Sequence, residues 1–317
     1  MKDSFCNNVE ESLEKQFIII QTFYIDKYSK FKFPRYKKYK KIGSLMKKID
    51  LHVHTNFSDG IYSPREVLEL AKESDHGVIS ITDHDNLDGY RNAIEIAKKL
   101  DIELIPGVEI SCLHKGKDVH ILAYYLDTDN KEINELLSVI YDNRFHRANS
   151  MIEKLKEQGV VLDRDQIYER AGENNYLGRP HLAWALIENG FCKNKYEAFE
   201  KYLGENCYAY VPKASPSVEK IIKVIRNAGG VSVIAHPYTL RNDDYIYDII
   251  KFGIDGMEVF YAKSNDETVL HYNEIAQNNM LIRTGGSDFH GEGLDLDIFK
   301  NYSAPEFVLE ELKSKRR

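Results

Sequence analysis

Residues 50–60 read Asp50-Leu51-His52-Val53-His54-Thr55-Asn56-Phe57-Ser58-Asp59-Gly60, with a strand predicted over 48–53. His52 and His54 stand two apart, so on a strand both side chains leave the same face and form a natural chelating pair. From there the chain alternates short apolar runs with helical patterns, the signature of β/α units and a mainly parallel sheet. Seven strands are predicted, near 48–53, 77–82, 102–108, 118–125, 231–235, 255–260 and 281–286. Ser63-Pro64-Arg65-Glu66 reads as a capping box with proline at the first helical position. Val218, Ile221, Ile222, Ile225 and Ala228 repeat at helical spacing before Gly229-Gly230, and Ser264 to Glu267 reads as a further capping box.

The strand ends share one chemistry. The first runs into His52 and His54, with Asp59 just beyond. The second ends in Thr82-Asp83-His84-Asp85, the third in Gly107-Val108-Glu109, and the fourth carries His120. The fifth ends in Ala235-His236-Pro237, the sixth near Glu258, and the seventh in Gly286-Ser287-Asp288-Phe289-His290. In a β/α barrel the C-terminal strand ends converge on one face, where the active site lies. Any one of these histidines is more often structural; together they predict a metal cluster. His52, His54, Asp59, His84, Glu109, His120, His236, Asp288 and His290 are too many ligands for one ion and suit two or three, with a carboxylate bridging. Imidazole and carboxylate donors without thiolate suit Mn²⁺ foremost, or Fe²⁺ or Zn²⁺. Several such ions stabilise the anionic oxygens of phosphoryl transfer and activate water.

Composition narrows the setting. The chain has 317 residues, 43% hydrophobic and 29% charged, which suits a soluble barrel with an insertion, or two domains. A net charge of −7 excludes a globally basic nucleic-acid surface. Cys6, Cys112, Cys192 and Cys207 lack Cys-x-x-Cys spacing, so a cytoplasmic protein with reduced thiols is expected. The apolar run Phe17–Ile20 is too short to span a membrane. Residues 1–45 stand apart, with ten Lys+Arg against five Asp+Glu, while the remainder carries 33 against 45. Their cationic, aromatic run Lys27–Lys41 reads either as a binding arm or, because Met46 is a plausible start, as an extension that is not native or is disordered.

The motifs DLHVHTNFSDG (50–60), TDHD (82–85), PGVEIS (106–111), VHILAYYL (119–126), IAHP (234–237) and GSDFH (286–290) resemble, in order, those of the polymerase and histidinol phosphatase (PHP) family. The resemblance covers about residues 46–300. It implies an α/β fold, a distorted (β/α)7 barrel with an inserted helical subdomain, holding a trinuclear site. One metal would take His52, His54, Glu109 and Asp288; a second, bridging Glu109, His120 and His236; a third, Asp59, His84 and His290. Some family members have histidine at the position of Asp59, which bears on the third ion's identity or occupancy. The barrel would comprise 46–126 and 214–317, and the insertion 127–213.

Within the family the chain resembles a subgroup of stand-alone phosphoesterases acting on nucleotides, whose mark is a helical insertion between the fourth and fifth strands. Its first helical pattern, Ile133 to Leu155, carries Arg144 on the apolar stripe, where the reading is either a snorkelling or buried ion-paired arginine, or a guanidinium for phosphate. Gly178-Arg179-Pro180-His181 opens another helix, and the resemblance implies that Arg179 and His181 reach substrate; for His181 the bland reading is a helix cap. Arg147 reads as structural or solvated, and Lys213 as a solvated lysine or a phosphate contact. Tyr124, Tyr208, Tyr210 and Trp184 read as core or as base-stacking surfaces, Asp83 as a support for a ligand, and His76, His114, His146 and His271 as surface or structural. The expected activity is hydrolysis, by metal-activated water, of the 3′-phosphate of nucleoside 3′,5′-bisphosphates or of the 5′ end of short RNA. The expected substrate is a mononucleotide or short oligonucleotide, with no protein partner and no membrane. Alternatives are a histidinol-phosphate or phosphotyrosine phosphatase on the same metals, a metal-dependent amidohydrolase, or a non-enzymatic binding module, which intact motifs disfavour.

Overall fold

A computed structural model describes residues 47–171 and 176–317. The cationic run at 27–41 and the reading of residues 1–45 lie outside the described residues. Among the described residues no helix is long and apolar enough to cross a membrane.

Among the described residues eight strands form two sheets. Strands β1 (Lys48–Val53), β2 (His76–Ile81) and β3 (Glu103–Leu104) run parallel, in that order. The second sheet takes the order β4 (Gly107–His114), β5 (Lys117–Tyr124), β6 (Val231–Ile234), β7 (Gly256–Tyr261) and β8 (Ile282–Gly286). β5 is antiparallel to both its neighbours, and β6, β7 and β8 are parallel. The run expected as a single strand at 102–108 is therefore divided. Pro106 has no N–H to offer a ladder, and the chain turns there from β3 into β4. The β4–β5 hairpin closes through Lys115 and Gly116, both at positive φ (49° and 79°), as a tight two-residue turn requires. The two sheets meet at isolated bridges, Val53 with Phe289 and His84 with Glu109. Among the described residues the ladder does not run continuously round a barrel.

Helices cover the sheets. α1 (Pro64–Glu73) starts at Ser63, whose Oγ accepts from Glu66 N–H while Glu66 accepts from Ser63 N–H. With α2 (Asp88–Leu100) it buries Val67, Leu68, Ala71, Ala93 and Ala97 over β1 and β2. α7 (Val218–Asn227) is capped by Ser217 and buries Val218, Ile221, Ile222, Val224 and Ile225, each such side chain contributing about 1.5–3 kcal/mol. α8 (Asp243–Lys251) and α9 (Asp266–Asn278) follow β6 and β7, and α10 (Asp295–Asn301) and α11 (Phe307–Ser314) close the chain. α9 starts one residue later than Ser264 implies: Asn265 is the cap, its side chain accepting from Thr268 N–H.

Between β5 and α7 lie α3 (Lys131–Glu157), α4 (Arg164–Ala171), α5 (Arg179–Glu188) and α6 (Lys195–Ala198), which runs into a wider π turn over Phe199–Leu203. α3 serves two cores. Ile133, Leu136, Leu137 and Ile140 join the core of the larger sheet, whereas Ala148, Met151, Ile152 and Leu155 join a second, helical core with Leu182 and Leu186. Arg144 sits between the two apolar clusters, which explains a guanidinium on an otherwise apolar stripe.

Candidate metal centre

β1 delivers His52 and His54, both fully buried. The following loop turns back as Ser58 and Gly60 N–H donate to the Thr55 carbonyl, both at 3.0 Å. Asp83 holds that loop, accepting from Thr55 N–H at 2.7 Å, Thr55 Oγ1 at 2.6 Å and Ser58 Oγ at 2.6 Å. This brings Asp59 Oδ1 to 3.9 Å from His54 Nδ1 and 3.3 Å from His290 Nε2. Gly286 lets β8 lie against β1, for a Cβ there would stand 2.2 Å from His52 Cβ. Asp288 N–H then donates to the His52 carbonyl at 2.9 Å.

Glu109 is the hub. Its Oε2 lies 3.1 Å from His52 Nε2, 3.2 Å from His54 Nε2 and 3.2 Å from His84 Nδ1. Its Oε1 lies 2.8 Å from His120 Nδ1 and 3.0 Å from His236 Nε2. Three groups have donor atoms all within 4.8 Å of one another: His52, His54, Glu109 and Asp288; His54, Asp59, His84 and His290; and His84, Glu109 and His120. The structure thus brings all nine predicted side chains together. The partition differs in detail, since His54 and His84 each fall in two groups and His236 joins through Glu109 Oε1.

These donors fit divalent cations. His52 Nε2 and His54 Nε2 face each other at 3.1 Å. Asp59 Oδ1, His84 Nδ1 and His120 Nδ1 are buried without an aligned hydrogen bond. Buried polar atoms left in that state cost free energy, and cations among them remove the cost. Three residues at the site, Asp85 (φ 55°), His236 (φ 26°) and Asp288 (φ 53°), take left-handed backbone, a strain of roughly 1–3 kcal/mol each that the surrounding structure must hold.

The electrostatics follow from crowding. Burial would raise the Glu109 carboxyl, but the imidazoles of His84, His120 and His52 outweigh it and hold it well below the usual range. Burial would lower His290, yet Asp59 and Asp288 lift it to about 10. For His84 burial wins over Glu109 and Asp59 and takes it to about 3.

A PHP domain model matches residues 50–229. The chain belongs to the PHP domain family. Among PHP relatives, the 5′-3′ exoribonuclease of Haemophilus influenzae is 32% identical over 270 residues, 84% of this chain and 98% of that protein. The 3′,5′-nucleoside bisphosphate phosphatase of Chromobacterium violaceum is 30% identical, over 78% of this chain and 89% of that one. Among solved structures, a candidate metal-dependent phosphoesterase from Bifidobacterium adolescentis superposes with a TM-score of 0.76 at 30% identity, covering 86% of this chain and 97% of the other. A Chromobacterium violaceum protein described as an amidohydrolase, with bound sulfate, also gives 0.76, at 29% identity, covering 84% and 96%.

Beside the PHP cluster of candidate ligands the structure gathers positive charge. Arg144 Nη2 donates to Asp85 Oδ2 at 2.6 Å and to Ser111 Oγ at 2.8 Å. Arg179 Nη2 reaches Asp118 Oδ2 at 3.4 Å, and Lys213 Nζ lies 3.3 Å from Asp118 Oδ1. Arg147 Nε donates to the Val211 carbonyl at 2.7 Å. Four cations thus face two carboxylates, and Arg144 Nε, Arg147 Nη2 and Ser215 Oγ are buried without partners. Lys213, read from sequence as solvated or as a phosphate contact, is largely withdrawn from solvent, and that desolvation with the Arg144 charge lowers its ammonium. His181 is at its helix start, where its Nδ1 accepts from Gly178 N–H at 3.3 Å, the cap arrangement. Burial, with the charges of Arg170 and Arg144, lowers it to about 4.

Sequence reasoning missed Glu258 as a support: its Oε1 lies 3.0 Å from His52 Nδ1, and its Oε2 accepts from His236 N–H at 2.7 Å. Its place on a strand with the other site residues was the available signal. Asp85, which accepts from Ser111 N–H at 2.6 Å, and Tyr261, whose hydroxyl donates to Asp288 Oδ2 at 3.1 Å, were missed too. Tyr124 cannot stack on a base; it is fully buried and its hydroxyl donates to the Leu51 carbonyl at 2.8 Å. The ring of Trp184 is occupied by Arg170, 4.7 Å above it.

Proposed function

We propose that this protein is a metal-dependent phosphoesterase that hydrolyses phosphate esters of nucleotides, removing the 3′-phosphate of nucleoside 3′,5′-bisphosphates or trimming the 5′ end of short RNA. The observation that carries this reading is the group of partly buried cations, Arg144, Arg147, Arg179 and Lys213, set against Asp85 and Asp118 next to the ligand cluster around Glu109. Like charges crowded together and partly withdrawn from water repel one another, and an anionic substrate group relieves that repulsion. The names of the Haemophilus and Chromobacterium relatives supply the nucleotide class.

His52, His54, Asp59, His84, Glu109, His120, His236, Asp288 and His290 would hold the metals. The overlap of three donor groups favours three ions, and nitrogen and oxygen donors without thiolate suit Mn²⁺, Fe²⁺ or Zn²⁺, of which we take Mn²⁺. When bound, such ions polarise the phosphoryl oxygens and make water nucleophilic near neutral pH. The chain's own part is to bind and orient. Arg144 and Arg179 offer directional donors to phosphate oxygens. His181, neutral, offers its second ring nitrogen, and Glu258 fixes the rings of His52 and His236. We read the two sheets as the distorted barrel, residues 127–213 as the insertion that brings Arg144, Arg179 and His181, and the free Cys112, Cys192 and Cys207 as suited to the cytoplasm.

The Chromobacterium structure's description keeps amide hydrolysis as a second reading. The cation shelf separates the two, since a neutral amide has no use for it. A turnover panel tests both: adenosine 3′,5′-bisphosphate, a 5′-phosphorylated dinucleotide, histidinol phosphate, a phosphotyrosine peptide and a set of N-acyl amides. Turnover of the first two is expected. Hydrolysis of amides alone would overturn the reading.

A further inference from the structure

Tyr176 belongs to none of the motifs read from the sequence. Among the described residues two tyrosines, Tyr124 and Tyr176, are completely buried at 0% exposure, and they differ in one respect. The Tyr124 hydroxyl is satisfied by a carbonyl, whereas the Tyr176 hydroxyl is buried with no hydrogen-bond partner. A buried phenol ordinarily finds one.

Its neighbours are those of the site. The Arg144 guanidinium carbon stands 4.6 Å from the ring centroid. The His84 ring lies parallel, 7° between planes and 6.4 Å between centroids, and the His181 ring is 6.0 Å away. Phenylalanine would supply the same ring to all three, so the hydroxyl is surplus to packing. A phenol keeps its proton at neutral pH, so the Tyr176 hydroxyl is available as a donor. A donor left unpaired among a guanidinium, a ligand imidazole and the helix-start histidine awaits an acceptor that arrives with the substrate.

We infer that the Tyr176 hydroxyl donates a hydrogen bond to a non-bridging oxygen of the phosphoryl group undergoing hydrolysis, making Tyr176 a substrate-contacting residue on the side of His84 and Arg144. This rests on the phosphoesterase reading above. Because the contact is to the transferred group, it serves every ester alike, whatever its leaving group.

The test is Tyr176→Phe in the full-length, metal-loaded protein, with p-nitrophenyl phosphate and adenosine 3′,5′-bisphosphate as substrates and inorganic phosphate as competitive inhibitor. Loss of the donor is expected to lower kcat/KM about ten- to a hundredfold on both substrates, and to raise the inhibition constant of phosphate by a similar factor. Metal content should be unchanged and Tm without ligand no lower, because a buried hydroxyl without a partner adds nothing to folding. Unchanged kinetics would overturn the inference, as would a loss on one substrate only or a marked fall in Tm. Tyr176→Leu removes the ring as well; activity lost there but kept in Tyr176→Phe would reduce Tyr176 to a cushion for Arg144. Wild-type turnover of both esters with unaltered Tyr176→Phe kinetics sinks the inference alone, whereas a wild type inert toward every phosphate ester sinks the functional reading and this inference with it.

Discussion

Arg144 Nη2 and Asp85 Oδ2 form a 2.6 Å ion pair in which the Asp85 side chain is wholly buried and the Arg144 side chain only 16% exposed. The pair ties α3 to the loop after β2, and both partners also hold Ser111. Removing the guanidinium strands a buried carboxylate. Arg144→Ala is expected to cost roughly 3 kcal/mol of stability, and Arg144→Lys less, read from urea midpoints. An alanine variant as stable as the wild type would show that the pair does not support the fold.

At the metal centre, His54→Ala and Asp288→Ala should each abolish hydrolysis and reduce bound metal, measured by elemental analysis against protein concentration. His54 is shared by two donor groups, so its loss should remove more metal than that of Asp288. Full activity with depleted metal would make the cluster structural.

Glu258→Gln leaves every candidate ligand in place but weakens the support of His52 Nδ1 and His236 N–H. Metal affinity should fall by about 10–100-fold, as for other outer carboxylates that orient ligating histidines. Competition with a chelator of known affinity measures it, and an unchanged affinity would remove Glu258 from the scheme.

Arg179→Ala and Lys213→Ala should weaken adenosine 3′,5′-bisphosphate about tenfold or more while sparing p-nitrophenyl phosphate, since both cations share Asp118 rather than a metal ligand. Equal losses on the two substrates would place them away from a second phosphate.

Acid should destabilise the fold through His76, which is buried against Phe299, ring centroids 4.7 Å apart. Burial, with the Lys48 charge, lowers it from 6.5 to about 4. Between those values the unfolded chain binds a proton that the native chain refuses, so stability present at neutral pH is lost as pH falls through 6.5. The loss reaches about 3 kcal/mol near pH 4. His76→Phe should flatten that part of the curve of Tm against pH; an identical acid slope would assign the lability to other groups.

Much of the site was legible because its residues sit at strand ends, where periodicity and local motif coincide. His52-Val53-His54 declares its common face by alternation alone, and the capping box at Ser63 is local chemistry. What escaped was non-local. The start of the β4–β5 hairpin was merged with β3 because residues 102–108 read as one strand until Pro106 is placed. Lys213 looked solvated because burial depends on what packs over it.

The order of imidazoles and carboxylates along the chain was enough to determine the family and the pool of nine candidate ligands, since alternation and strand-end position are properties of neighbouring residues. Only the tertiary structure decided that Glu109 is their common centre, that Arg144 parts two cores and pairs with Asp85, and that the Tyr176 hydroxyl lies buried without a partner. The physical reason is that burial and pairing are set by segments far apart in sequence, whose meeting no local pattern encodes.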